Sequence, residues 1–371
     1  MGDGPTQTGN VIFPASLQKC GQVRLGLAIQ GGGNWGALAW GMLDNLLPHL
    51  KQQSVDVVSI LGTSAGALNA AYVAQGWQQA LDQGDDPVRS AQWMLAHLWS
   101  NVAGLASYAS PAAQMFNHLR KFMPDGGKGH EAWIQQTLLM THKNMGARHP
   151  LLEMIELDID FDLLQNAKQM RVVVNSTDVH TGRMCLHYGD GLTAEALASS
   201  GTLPRLFGHV EVNGGHHIDG GYTGNPPVLE QFKLDPTLTD IIVLRMTPMT
   251  LRSDGLSHQV NEIEHREHEM LMNAALERDL RALQCLAELG HGPRLHIISV
   301  GESWPHAVNS KFDNAHTNMR FFEECREHGA EQAKAWIAQH GHKLGHSSSY
   351  DPSPIIVCNT LPTIKTALTN G

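Results

Sequence analysis

No apolar run in this sequence approaches the ~18 residues that a membrane-spanning helix needs. The opening residues, MGDGPTQTGNVIFPASLQKC, lack the basic stretch and apolar core of a secretory leader, so none is expected. Cations are in short supply: 26 Lys and Arg face 36 Asp and Glu, for a formal charge of −10. That balance argues against a nucleic-acid partner, which selects a basic face, and against electrostatic docking on anionic lipid. Cysteine is sparse as well. Cys20, Cys185, Cys285, Cys325 and Cys358 are scattered and odd in number, with no C-x-x-C pair. A disulfide framework and a zinc ribbon are both disfavoured, and a reducing, cytoplasmic setting is the simpler reading.

What remains is a chain able to bury a large core. Its 371 residues are 42% hydrophobic and 17% charged, room for two domains or one elaborated one. Residues 1–20 read as a loose tail. Then a strand, a glycine turn and a helix follow one another twice. Val23 to Ile29 runs into Gly31-Gly32-Gly33 and a helix over Ala37 to Leu50; Val57 to Leu61 runs into Gly62-Thr63-Ser64-Ala65-Gly66 and a helix over Ala67 to Gln75. That rhythm predicts an α/β fold on a mainly parallel sheet. Further strands are expected at Arg171 to Asn175, Met184 to His187, Val210 to Ile218, Ile241 to Leu244 and Leu295 to Val300. Residues 86–123 read as two helices joined near Ser110-Pro111, with long helices over Val260 to Leu289 and Met319 to Gln339.

Three segments carry chemistry. Gly62-Thr63-Ser64-Ala65-Gly66 is a G-x-S-x-G between strand and helix, where flanking glycines permit a sharp turn that exposes the serine Oγ. The helix behind it adds positive potential for a developing oxyanion. Gly31-Gly32-Gly33 lets backbone N–H groups approach a ligand and present two donors to an oxyanion. The same stretch reads G-x-G-x-x-G through Gly36, a dinucleotide fingerprint, but the next strand ends in Ser64 rather than in the acidic residue a ribose requires. Asp219-Gly220-Gly221 could project a carboxylate into a site, or simply cap a turn.

QGGGNWGALAWGML, GTSAGALNAA and DGGYTGNPPV, in that order, resemble the patatin-like phospholipase family over about residues 21–246. Asn175 to Gly182, and Ala198-Ser199-Ser200 with Pro204 and Phe207, add to the similarity. The resemblance implies a three-layer α/β/α fold with added helices and a Ser–Asp dyad hydrolase without a catalytic histidine. Carried over, Ser64 is the nucleophile between elbow glycines Gly62 and Gly66, and Asp219 is its base. Gly31, Gly32 and Gly33, helped by Asn34, form the oxyanion hole. Phospholipid or lysophospholipid is the implied substrate class, met at most transiently at a membrane surface, and neither cofactor nor metal is needed. Many members carry Arg or Lys where this chain has Trp35, so no cation is expected in the oxyanion hole. The catalytic domain is placed at 21–250, a C-terminal helical extension packed on it at 251–345 and an irregular tail at 346–371. Lys311-Phe312-Asp313-Asn314 and the Phe322 to Trp336 helix are similar to the extension of one bacterial subgroup.

The 22 histidines invite other readings. His217, two residues before Asp219, would share its strand face and offers a Ser-His-Asp triad. His265 and His268 with Glu264 and Glu267, and His340, His342 and His346, have metal-like spacing but no complete ligand set, so solvated histidines are the simpler account. Trp93, Leu98, Trp99 and Val102 fit either a lid or core packing. An acyltransferase, a nucleotide-binding oxidoreductase built on Gly31 to Gly36, and a silent lipid-binding module are the rival functions.

Overall fold

The computed structural model describes residues 22–107, 149–249, 260–301 and 318–352. Among these, eight strands form one mixed sheet: β1 (Arg24–Ile29), β2 (Asp56–Gly62), β3 (Arg171–Asp178), β4 (Met184–His187), β5 (Val210–Val212), β6 (Gly215–Asp219), β7 (Asp240–Arg245) and β8 (Arg294–Ser299). The strand order is β5-β6-β3-β2-β1-β7-β8, with β4 paired to β3. β3-β2-β1-β7-β8 are parallel, and β4, β5 and β6 add antiparallel pairings at one side.

The central strands read as near-continuous apolar runs because both faces are covered. Leu25, Leu27 and Ile29 point to one face, where they pack with α1 (Ala37–Gln52), α2 (Ala65–Gln83), α3 (Pro87–Ser107) and a late helix over Met319–His340. Ala28, Leu61, Val173, Val243 and Ile297 point to the other, under a short helix over Val228–Leu234 and a long one over Val260–Glu288. In chain order the shorter helices between are α4 (Pro150–Asp158), α5 (Phe161–Gln165), α6 (Ala194–Ser200) and α7 (Pro204–Phe207). The later three are then α8 (Val228–Leu234), α9 (Val260–Glu288) and α10 (Met319–His340). The result is a three-layer α/β/α fold, as expected. Among the described residues no helix is long and apolar enough to cross a membrane.

One difference from the sequence reading bears on the site. Val210 to Ile218 is not one strand but a hairpin, β5 and β6, turned by Asn213 (φ 50°) and Gly214 (φ 80°). Both turn residues are left-handed, as a two-residue type I′ turn demands. β8, the strand expected at Leu295 to Val300, extends the sheet beside β7. The following segment closes on β8, with Ser349 and Tyr350 amides donating to the Leu295 carbonyl.

α10 lies across α1 at backbone contact. A Cβ on Gly41 would come 1.8 Å from the Arg326 carbonyl oxygen, and one on Gly329 would come 2.0 Å from that of Leu38. Each glycine admits the other helix. Gly41→Ala should therefore push α10 outward and cost about 3 kcal/mol, measurable by thermal or urea unfolding. An unchanged midpoint would show that the crossing is loose.

Candidate active site

The last residue of β2 and the first of α2 bracket a turn at Thr63-Ser64. Ser64 holds φ 55° and ψ −126°, a conformation that side-chain-bearing residues rarely adopt and that stores strain. The neighbours leave no room for side chains. A Cβ on Gly62 would lie 2.3 Å from the Gly66 carbonyl oxygen, and one on Gly66 would lie 2.3 Å from that of Ile29. The Ser64 amide donates to Ser200 Oγ at 2.9 Å, tying the elbow to α6. The buried Thr63 hydroxyl donates to Asn175 Oδ1 at 2.6 Å.

Asp219 ends β6 and is 4% exposed. Its amide donates to the Thr202 carbonyl, and its own carbonyl accepts from Thr177 Oγ1, so the backbone on both sides is fixed. The carboxylate accepts from the Gly221 amide at 2.7 Å and shares the cleft with the Ser64 side chain, whose hydroxyl pulls its pKa downward. Burial outweighs both influences and pushes the Asp219 carboxyl up to about 6. Asn175 Nδ2 donates to the Gly220 and Gly224 carbonyls, holding the turn that follows.

The glycine loop arrives from β1. Gly31 must be glycine, because a Cβ there would sit 2.8 Å from both Ser64 Cβ and the Thr63 carbonyl oxygen. Its amide, however, donates to Asn225 Oδ1 at 2.7 Å and is spent. Gly31 is thus a close-approach residue, and the sequence reading of it as an oxyanion donor is corrected. Among the described residues no acceptor stands on the Gly32 or Gly33 amide, which leaves these two available. Asn34 enters a 3₁₀ turn over Gly33–Gly36, its carbonyl accepts from the Ala37 amide, and it is not among the residues lining the cleft. Trp35 is buried edge-on against Phe321 of α10, at 5.2 Å between ring centres.

Ser64, Asp219 and Gly31 to Gly33 open into one cleft of about 520 Å³, including its mouth. Leu203, Tyr222 and Met272 give it an apolar wall, and Asn225 and Thr247 add polar groups. Sequence reasoning did not find Thr247 or Met272: neither lies in a motif, and only the sheet and α9 bring them here.

His217 does share the strand face of Asp219, but its ring joins a buried cluster instead of the cleft. Ser176 Oγ lies 2.9 Å from His217 Nδ1 and 2.7 Å from His187 Nε2. Burial, and next the neighbouring His217, lower His187 to about 4; burial also lowers His217, against the pull of Asp178. Among the described residues no group of three or more His, Cys, Asp or Glu is arranged to hold a metal. His265, His268 and Glu264 lie outside the described side chains. In α3, Leu98 and Trp99 are core residues, with Trp99 Nε1 donating to Asn69 Oδ1, whereas Trp93 is 63% exposed; residues 108–123 of the candidate lid lie outside the described residues.

A profile of the patatin-like phospholipase family matches residues 27–231, more than half of the chain. No curated protein sequence matches it. Among solved structures it is similar to VipD from Legionella pneumophila, at 15% identity over 85% of this chain and 67% of that one, with a TM-score of 0.35. It is also similar to ExoU of Pseudomonas aeruginosa, solved with SpcU, at 16% identity and a TM-score of 0.26; the match covers 84% of this chain but only 53% of ExoU. With the profile spanning both glycine turns and the Asp219 loop, the chain belongs to the patatin-like phospholipase family and is a lipid acyl hydrolase.

Proposed function

We propose that Ser64 and Asp219 form the nucleophile–base dyad, acting on phospholipid or lysophospholipid esters through an acyl-enzyme. The observation that carries this reading is the buried Asp219 carboxylate lining one cleft with a serine held on a strained elbow. Ser64 Oγ attacks the ester carbonyl carbon while its proton passes to Asp219. The Gly32 and Gly33 amides take the oxyanion, where two donors are worth most because the charge exists only in the transition state. Collapse breaks the bond to the alcohol, which leaves with the proton from Asp219. Asp219 then deprotonates a water, whose oxygen attacks the acyl carbon and releases the fatty acid and Ser64. Leu203, Tyr222 and Met272 offer the acyl chain an apolar wall. The chain's residues need neither metal nor cofactor for these steps.

A carboxyl near 6 suits a base working at neutral pH better than one near 4. It must be ionised to accept the serine proton. For a short p-nitrophenyl ester, kcat/KM should therefore fall about tenfold per pH unit below about 6, and level off above. No acid limb would remove Asp219 as the base, and a limb at pH 4 would show that its carboxyl is not raised. Adding alcohol acceptors to the same assay separates transfer from hydrolysis, since acyl-alcohol products exceeding free acid would favour the acyltransferase reading.

A further inference from the structure

The glycine loop is anchored from two sides where it leaves β1. Asn225 holds Gly31 on one side. On the other, Gln30 is wholly buried where β1 ends, and its carbonyl packs on Gly66 of the elbow. Gln30 Oε1 accepts the Met246 and Thr247 amides at 2.8 and 3.0 Å, which fixes the chain leaving β7. Gln30 Nε2 donates to Asn273 Oδ1 at 2.9 Å, and the Thr247 hydroxyl lies 2.9 Å from the same oxygen. Asn273 Nδ2 in turn donates to the Pro248 carbonyl. Asn273 is on α9, one residue from Met272 in the cleft wall, and both lie beyond residue 231, where the family match ends.

We propose that Asn273 is a positioning residue for acyl transfer: acting through Gln30, it fixes the Gly32 and Gly33 amides where the oxyanion forms. The proposal rests on the dyad reading above. Its physical basis is the buried Gln30 amide. Without Asn273, the buried Gln30 Nε2 loses its acceptor, so the side chain turns and releases Met246, Thr247 and the loop it begins. Loss of one oxyanion donor costs 10²–10³ in kcat in enzymes of this kind, and a displaced donor costs part of that. Because these amides act on the transition state, the loss falls on kcat and spares KM.

The test is steady-state hydrolysis of p-nitrophenyl butyrate by the full chain, with folding checked by circular dichroism. Asn273→Leu should lower kcat about 10–100-fold, hold KM within about threefold and leave the acid limb where it is, since Asp219 is untouched. Gln30→Met should do the same, and the double variant should lose no more than the worse single one, as two residues in one line of action require. Multiplying losses, a kcat for Asn273→Leu within twofold of wild type, or a moved limb would overturn the proposal. If Asn273→Leu does not fold, Asn273→Asp keeps the acceptor oxygens for Gln30 and Thr247. It should stay within about tenfold of wild type, and a larger loss overturns the proposal. Ser64→Ala runs alongside. If Ser64→Ala stays active, the dyad reading fails and this proposal with it; if only Asn273→Leu is active, the positioning role alone is lost.

Discussion

Ser64→Ala is expected to bring ester hydrolysis down by at least ~10³-fold in kcat/KM and to abolish labelling by a fluorophosphonate probe. The expectation follows from geometry more than from the motif. Ser64 shares one cleft with the buried Asp219 carboxylate and with the two unspent amides of Gly32 and Gly33. Folding should survive, because the methyl of alanine occupies space that Ser64 Cβ already fills. A companion variant tests the elbow itself. At φ 55° and ψ −126° glycine is at ease and alanine is not. Ser64→Gly should thus unfold at a higher midpoint than Ser64→Ala, by about 1 kcal/mol, while being equally inactive. Activity or labelling retained by Ser64→Ala would move the nucleophile elsewhere. Ser64→Gly being the less stable of the two would mean that the turn is not strained.

Much of this was legible in the chain itself, and what was not shares one cause. The elbow could be read because its requirement is local: Gly62, Ser64 and Gly66 meet one another across a single turn. Gly31 was found for the same reason, yet its role was misassigned, because the fate of its amide is settled by Asn225, almost two hundred residues away. His217 shows the same division. The two-residue period placed it on the face of Asp219, but the pairing of β3 with β4 and β6 decides that Ser176 and His187 are what it meets. Ser200, Thr247, Met272 and Asn273 serve the site from segments with no motif of their own, and only the folded sheet and α9 bring them to it. The Asn213-Gly214 turn is a different kind of miss. Its signal is in the sequence, and it splits what otherwise reads as one long strand ending at Asp219.

Asp219→Asn should lose activity by at least ~10³-fold and yet make the protein more stable at neutral pH. Asp219 ionises near 3.8 in the unfolded chain and near 6 in the fold, where burial works against the charge. Below 3.8 both states keep the proton and the group has no effect on stability. Between 3.8 and about 6 the unfolded state gives up its proton first, so the folded state loses ground as pH rises. Above about 6 the penalty is constant. A gap of about two pH units, at ~1.36 kcal/mol each, sets it at roughly 3 kcal/mol. Asparagine is nearly the same shape, can still accept the Gly221 amide through Oδ1, and carries no charge to desolvate. Asp219→Asn should therefore unfold at a midpoint higher by about 1–3 kcal/mol at pH 8, and the advantage should vanish toward pH 4. Urea unfolding of both proteins at several pH values reads this directly. A variant that is less stable at pH 8, or an advantage that does not shrink on acidification, would mean that the carboxylate is not held charged against its surroundings. The base would then lack the raised pKa that suits it to take a proton from Ser64 near neutrality. In the proposed dyad, the stability forgone at Asp219 is thus the cost of a carboxylate desolvated enough to take the part a histidine otherwise would.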